Sequence, residues 1–123
     1  MKRILAIDNA ASTRLFYRNI LEAADYSVDE AENGIEALGK ALEKPFDLYL
    51  VDVKMTKMDG YGFLRELRKE NISQAPAIMT STEAAPIDAE QAYLAGANDY
   101  LVKPVTPKQL LWHVRLLLGE AQT

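Results

Sequence analysis

Four short apolar runs and one mixed segment, residues 27–30 (Ser-Val-Asp-Glu), recur along the chain of 123 residues, and a longer amphipathic stretch follows each of them. These segments predict strands at residues 2–7, 27–30, 48–51, 77–80 and 100–102, of which the second has the weakest pattern. The stretches predict helices at residues 11–24, 35–43, 62–69, 85–95 and 107–118. Repeated strand-helix units are typical of a parallel sheet covered by helices on both faces. The sequence therefore predicts an α/β fold with five strands and five helices.

Turn-forming and capping residues support these boundaries. Asn33-Gly34 precedes the second predicted helix, and Thr106-Pro107 is typical of an N-cap followed by proline at the first helical position. Further glycines and prolines fall between predicted elements, at Pro45, Gly60, Pro76, Pro86 and Gly96. No internal repeat or linker interrupts the pattern. We expect a single domain over residues 1–123 with no attached output domain.

Composition excludes several classes of function. With 14 Lys+Arg against 18 Asp+Glu, the formal net charge is −4, which argues against direct binding of nucleic acid. The chain has no cysteine and therefore no disulfide or thiolate metal site. The first apolar run ends at Asp8, too early for a signal peptide or a membrane span. We expect a soluble cytoplasmic protein.

Polar side chains follow four of the predicted strands. Asp8-Asn9 follows the first strand and Asp52 the third, residues 80–83 (Thr-Ser-Thr-Glu) end the fourth, and Lys103-Pro104 follows the fifth. Ligands of open parallel sheets bind beyond the carboxyl ends of the strands. The sequence therefore predicts a site that combines carboxylates, hydroxyls and one cation at this edge.

Each of these residues has a simpler interpretation. Asp8 is equally consistent with a helix N-cap, Ser81 and Thr82 with caps of the next helix, and Lys103 with a solvated loop. Asp52 is harder to explain structurally, because the apolar run at residues 48–51 delivers one carboxylate to the edge of the sheet.

The residue types suit one reaction. Carboxyl and amide oxygens are ligands of Mg²⁺, which bridges carboxylate and phosphate oxygens. Asp52 would attack a phosphoryl group and form an aspartyl phosphate. Lys103 would pair with one phosphoryl oxygen, and Ser81 would donate a hydrogen bond to another.

Several motifs, in this order and spacing, resemble the response regulator receiver family over essentially the whole chain. They are Ile7-Asp8-Asn9, residues 31–38 (Ala-Glu-Asn-Gly-Ile-Glu-Ala-Leu), residues 51–55 (Val-Asp-Val-Lys-Met), Met58-Asp59-Gly60, and residues 96–104 (Gly-Ala-Asn-Asp-Tyr-Leu-Val-Lys-Pro). The resemblance implies a flavodoxin-like, doubly wound sheet of strand order 2-1-3-4-5. It also implies a cis peptide bond before Pro104.

The resemblance also implies roles. Catalytic residues would be Asp52, Lys103 and Ser81, and the magnesium ligands would be Asp8, Asn9, Asp52 and the backbone carbonyl of Lys54. Ser81 and Tyr100 would form the conformational switch, although Tyr100 is also consistent with a half-buried aromatic. The phosphodonor would be a histidine kinase or a histidine phosphotransfer protein. Such a domain is not an enzyme beyond its own phosphorylation and dephosphorylation.

The chain departs from the family pattern at three places. Asn9 stands where the family has a second acidic residue, which predicts weaker metal binding. Thr56 replaces a common proline in the loop after Asp52. Lys54 and Glu83 each lie two residues beyond a matched site residue, so we expect either an ion pair beside the site or two solvated charges.

The last predicted helix carries more apolar residues than one buried stripe requires. Leu110, Val114, Leu117 and Leu118 have the spacing of a buried stripe, whereas Leu111, Trp112 and Leu116 do not fit it. These three predict an exposed apolar patch, although the tryptophan could instead lie over its own domain. The family commonly uses its fourth helix, fifth strand and fifth helix to bind a downstream target or a second copy. His113 is expected at the surface.

Two functions follow from these patterns. The first is a stand-alone receiver that is switched by phosphorylation of Asp52, and the second is a pseudo-receiver, an interaction module whose phosphorylation is weak or lost. Asn9 favours the second, whereas Asp52, Lys103 and Ser81 together favour the first. A metal-dependent phosphohydrolase or a flavin protein is less consistent, because residues 8–11 do not form the phosphate loop of a flavin protein.

Overall fold

A computed structural model describes residues 1–120 as ten elements in alternating order. The strands are β1 (Arg3–Ile7), β2 (Ser27–Ala31), β3 (Leu48–Asp52), β4 (Ala77–Ser81) and β5 (Asp99–Val102). The helices are α1 (Ala11–Ala23), α2 (Gly34–Glu43), α3 (Gly60–Lys69), α4 (Pro86–Ala95) and α5 (Pro107–Leu117). All ten predicted elements are confirmed, with boundaries within two residues of those expected. Among the described residues, no helix is long and apolar enough to cross a membrane.

The strands form one parallel sheet of order β2-β1-β3-β4-β5, which confirms the predicted flavodoxin-like, doubly wound topology. The chain reverses its direction of winding between β1 and β3. At such a switch point the connections leave toward opposite faces and open a crevice at the carboxyl ends of the strands. Ile7 pairs with Val51 here, so the residues that follow them are neighbours.

The central strand β3 is buried along its whole length, as expected for a sheet covered on both faces. Tyr49 and Val51 face a core formed with α2, α3 and α4, whereas Leu48 and Leu50 face a second core formed with α1 and α5. The helices contribute their buried side chains to these two cores. They include Ala37, Ala41, Phe63, Leu64, Leu67, Ala92 and Ala95 on the first face, and Tyr17, Leu21, Leu110 and Val114 on the second.

The loop after β3 is held close to the strand that precedes it. Asp59 caps α3 by accepting a hydrogen bond from the Gly62 amide at 2.8 Å, so the helix begins two residues earlier than predicted. A Cβ atom on Gly60 would lie 2.4 Å from the carbonyl oxygen of Asp52. Only glycine fits this close approach. Gly60 and Pro86, predicted as boundary residues, are the first residues of α3 and α4.

The exposed flank of α5 agrees with the prediction in part. Trp112 and Leu116 are 51% and 57% exposed, as expected. The prediction for Leu111 is wrong, because this side chain is partly buried against the second core. A helix lying on a sheet covers a stripe wider than one row of side chains. His113 is also partly buried and pairs through Nδ1 with the Asp99 carboxylate on β5, rather than lying free at the surface.

Candidate functional site

The two acidic residues predicted at the strand ends lie side by side. Asp8 directly follows β1, Asp52 is the last residue of β3, and both are buried, at 1% and 7% exposure. The Lys103 Nζ atom lies 2.9 Å from Asp8 Oδ2 and 3.0 Å from Asp52 Oδ1. The structure therefore brings together three residues that are far apart in the sequence, and Lys103 is not a solvated loop residue.

The loop after β5 places this lysine. Lys103 donates its amide hydrogen to the Ser81 carbonyl at 2.7 Å, which joins the loop to the end of β4. The Lys103-Pro104 peptide bond is cis, as the resemblance predicted.

The charges of this cluster are only partly balanced. Burial raises the pKa of Asp52, and the neighbouring Asp8 charge raises it further, although the hydrogen bond from Lys103 opposes both. Burial opposes the charged form of Lys103 as well, but its two carboxylate partners outweigh burial and raise its pKa. One ammonium group thus serves two carboxylates, which leaves the ionised cluster with excess negative charge.

The donor set fits a hard cation. Asn9 and Lys54 line one shallow cavity beside the carboxylates, together with residues 53, 55, 56 and 59. Within residues 1–120, no group of three or more His, Cys, Asp or Glu side chains is arranged to hold a metal. The donors at this edge are two carboxylates, the Asn9 amide and backbone carbonyls. Oxygen donors of this kind, few in number, suit Mg²⁺, which keeps several of its water ligands.

Both predicted switch residues contact the backbone of Glu83. Ser81 is buried at the end of β4, and its Oγ accepts a hydrogen bond from the Glu83 amide at 3.1 Å. The Tyr100 hydroxyl donates to the Glu83 carbonyl at 2.7 Å. The Glu83 side chain also forms the anticipated ion pair with Lys54, at 3.1 Å, but both side chains are mostly exposed. One residue of the β4–α4 loop therefore connects Ser81, Tyr100 and Lys54.

The helix-capping alternatives are wrong. Asp8 does not cap α1, because the N-cap residue is Ala10, which forms no side-chain hydrogen bond. The Oδ1 atom of Asp8 instead accepts a hydrogen bond from the Ala10 amide at 2.9 Å. Ser81 and Thr82 do not cap α4, which begins after Ala85. Helix capping therefore does not account for the polar residues at the strand ends.

The sequence patterns did not identify three features near the site. Arg14 on α1 donates to the Asp8 carbonyl at 2.6 Å. Tyr17, also on α1, is buried near the cluster, and burial raises the pKa of its hydroxyl although Lys103 lowers it. The Thr80 hydroxyl, on β4, is fully buried as well. The only sequence signal was the spacing of Arg14 and Arg18, which places both on one helical flank.

Comparisons with known proteins agree with this arrangement. Residues 4–115 match the model of the response regulator receiver domain. The chain is 38% identical over 119 residues to the transcriptional regulatory protein ResD of Bacillus subtilis, covering 97% of this chain and 49% of ResD. It is 31% identical over 120 residues to the transcriptional regulatory protein SrrA of Staphylococcus aureus, covering 98% of this chain and 49% of SrrA. The chain thus spans about half the length of these curated relatives.

Solved structures show the same fold. The chemotaxis protein CheY4 of Vibrio cholerae superposes with a TM-score of 0.90 at 34% identity, covering 95% of this chain and 98% of that one. A CheY-like response regulator receiver domain protein of Methanospirillum hungatei gives a TM-score of 0.90 at 31% identity, covering 97% and 94%. With Asp8, Asp52 and Lys103 in contact at the strand ends, these matches show that the chain belongs to the response regulator receiver domain family of two-component systems.

Proposed function

We propose that this domain accepts a phosphoryl group on Asp52 and signals through the resulting change in its β4–α4 and β5 surface. The observation that carries the proposal is the contact of Lys103 with both Asp8 and Asp52 at the switch point of the sheet. A histidine kinase or histidine phosphotransfer protein is the proposed donor, since the chain belongs to the receiver family.

The proposed reaction is a displacement at phosphorus. A carboxylate oxygen of Asp52 forms a bond to phosphorus, and the phosphorus–nitrogen bond of the phosphohistidine donor breaks. The departing imidazole keeps the electron pair and takes a proton from water. Mg²⁺, held by Asp8, Asp52, the Asn9 amide and the Lys54 carbonyl, would neutralise charge between the two approaching anions. Lys103 exchanges a carboxylate partner for a phosphoryl oxygen.

In this proposal the Ser81 hydroxyl senses the new phosphoryl group. In the present state Ser81 Oγ accepts from the Glu83 amide, so its own hydrogen remains available for a phosphoryl oxygen. A turn of Ser81 toward Asp52 would release the Glu83 amide, and Tyr100 is bound to the carbonyl of that same residue. We propose that this shared loop carries the phosphorylation state to β5.

The receiving surface is proposed to comprise α4, β5 and α5. Trp112 and Leu116 are half exposed there, and large exposed apolar side chains are typical of surfaces that bind a downstream protein or a second copy. Replacing both, Trp112→Ala with Leu116→Lys, should abolish phosphorylation-dependent association in sedimentation experiments. Leu42→Lys, a comparably exposed position on α2, is the matched control. Equal association of parent and double variant would refute this surface.

A pseudo-receiver is the second candidate, and Asn9 is the observation that favours it. An amide supplies an oxygen ligand but no charge, so phosphorylation could be weak or lost. The two candidates differ in how far the protein is phosphorylated, fully in the first and weakly or not at all in the second.

Intact mass after incubation with acetyl phosphate and Mg²⁺ separates the two candidates. The parent should gain one phosphoryl group, and Asp52→Asn should gain none because an amide is a poor nucleophile. Asp25→Asn is the control, since Asp25 is exposed in the turn between α1 and β2 and its left-handed backbone suits asparagine. An unmodified parent would favour the pseudo-receiver.

A further inference from the structure

Arg14 on the second turn of α1 joins two strands of the sheet. Its Nη1 atom donates to the carbonyl oxygen of Asp8 at 2.6 Å, and its Nε atom donates to Glu30 Oε1 on β2 at 2.8 Å. The side chain is only 15% exposed. Arg14 therefore contacts the backbone of Asp8, which supplies one proposed metal ligand and precedes another, Asn9.

Glu30 is itself held firmly. Its second carboxylate oxygen, Oε2, accepts from Arg18 Nε at 2.8 Å. Lys40 on α2 donates to the Glu30 backbone carbonyl. Burial raises the pKa of Glu30, but the hydrogen bonds from Arg18 and Arg14 outweigh it and lower the pKa overall. Glu30 therefore provides a fixed, ionised acceptor that orients the Arg14 guanidinium.

Besides Arg14 and the contact of Lys103 with the Asp8 carboxylate, the loop after β1 has few restraints. α1 begins at Ala11, its N-cap residue Ala10 forms no side-chain hydrogen bond, and Asn9 and Ala10 are exposed. The Asp8 amide donates to the Ala31 carbonyl at 3.1 Å, and the Ala10 amide donates to Asp8 Oδ1 at 2.9 Å. Arg14 supplies the contact that ties the Asp8 carbonyl to the helix.

We propose that Arg14 is a positioning residue for the cation site, which fixes the backbone of Asp8 and Asn9 so that their oxygens face Mg²⁺. The inference rests on the proposed function, because it assumes that a cation binds at Asp8 and Asp52. Residues that orient metal ligands commonly change metal affinity 10- to 100-fold, although they do not touch the metal.

Because Arg14 is positively charged, the direction in which its removal changes Mg²⁺ affinity tests the proposal. A cation beside a metal site repels the metal, so removing Arg14 should tighten Mg²⁺ binding if its charge were all that mattered. Removing a positioning contact should instead weaken binding. Glu30 compensates the positive charge of Arg14, and the hydrogen bond from Arg14 to Asp8 remains. The guanidinium can therefore hold the Asp8 backbone without strongly repelling Mg²⁺.

Arg14→Met and Arg18→Met form a matched pair. Each removes one positive charge and one hydrogen bond to Glu30, but only Arg14 contacts Asp8. Titration calorimetry with MgCl₂ should show Mg²⁺ affinity lower by on the order of 10-fold in Arg14→Met and near the parent value in Arg18→Met. In the metal-free proteins, amide hydrogen exchange at Ala10 should accelerate in Arg14→Met only.

Glu30→Gln provides a second variant in case Arg14→Met does not fold. It keeps an acceptor but loses the charge that orients Arg14, so amide exchange at Ala10 should accelerate in the metal-free protein. Mg²⁺ binding should weaken too, but the loss of a negative charge alone has that effect, so exchange is the deciding measurement for this variant. Unchanged or tighter Mg²⁺ binding in Arg14→Met, or unchanged exchange at Ala10 in Glu30→Gln if the first variant is unfolded, overturns the inference. If the parent itself neither binds Mg²⁺ nor gains a phosphoryl group, the proposed function fails and the inference fails with it.

Discussion

Asp52 and Glu30 are carboxylates on strands of the same sheet, but they lie in opposite electrostatic settings. Glu30 accepts one hydrogen bond from each of two arginines, and its pKa is lowered. Asp52 shares a single lysine with Asp8, and its pKa is raised by burial. Charges that stabilise a fold are fully paired, whereas a site that must attract a cation keeps its charges under-compensated. The difference predicts that Glu30 stabilises the metal-free protein and that ionised Asp52 destabilises it.

The largest expected effect concerns the one cation of the site. Lys103→Gln leaves Asp8 and Asp52 facing each other without an ammonium group. Breaking a buried charge pair in this way should lower the free energy of unfolding of the metal-free protein by about 3 kcal/mol. Urea unfolding measures the loss, and added Mg²⁺ should recover part of it. A variant as stable as the parent would show that the two carboxylates are not both ionised.

Glu30→Gln should have the next largest effect. The folded-state pKa of Glu30 is lowered, so its stabilisation is present above the unfolded pKa and is lost as the pH falls through the folded pKa. The variant should therefore be less stable than the parent by about 1.5 kcal/mol at pH 7, the lower end for a charged hydrogen bond. Urea unfolding across acid pH should show the difference closing. A stability difference that does not depend on pH would show that Glu30 stabilises the fold through packing and not through its charge.

Asp52→Asn should change the stability of the metal-free protein in the opposite direction and raise its free energy of unfolding. The folded-state pKa of Asp52 is raised, so its contribution is fully favourable below the unfolded pKa and is lost as the pH rises through the folded pKa. The variant should be more stable than the parent at pH 7, by about 1 kcal/mol, and equal to it in strong acid. Denaturation in the presence of a chelator tests this. A destabilised variant at pH 7 would break the comparison with Glu30.

Asn9→Asp should give the smallest change in the metal-free protein. A third carboxylate near Asp8 and Asp52 adds repulsion, but residue 9 is exposed, so we expect a loss of about 0.5 kcal/mol after solvent screening. Mg²⁺ should then stabilise this variant more than the parent. Thermal melts across a Mg²⁺ titration would reveal the difference. Identical Mg²⁺ dependence would place residue 9 away from the cation.

Most of the fold was predictable because four of the five strands are short apolar runs with polar residues at or just after their ends. Asp8, Asp52 and Lys103 were predicted together because parallel strands end at one edge of the sheet. The capping alternatives for Asp8 and Ser81 could not be decided from the sequence, since both roles use the same residue types in the same places.

Contacts between the side chains of a helix and those of a strand were not predictable. Arg14 meets Glu30 across 16 positions, and His113 meets Asp99 across 14. A helical pattern shows which residues share a flank, but not which strand that flank will face. The burial of Leu111 was missed for a related reason, because the width of the buried stripe depends on how the helix lies on the sheet.

The residue that carries the phosphoryl group is the most direct test of the account. After incubation with acetyl phosphate and Mg²⁺, borohydride reduces an aspartyl phosphate at its carbonyl carbon and converts the residue to homoserine. Peptide mapping of the parent should then place homoserine at position 52 alone. Homoserine at position 8 or 59, with position 52 unmodified, would contradict the assignment of Asp52 as the acceptor.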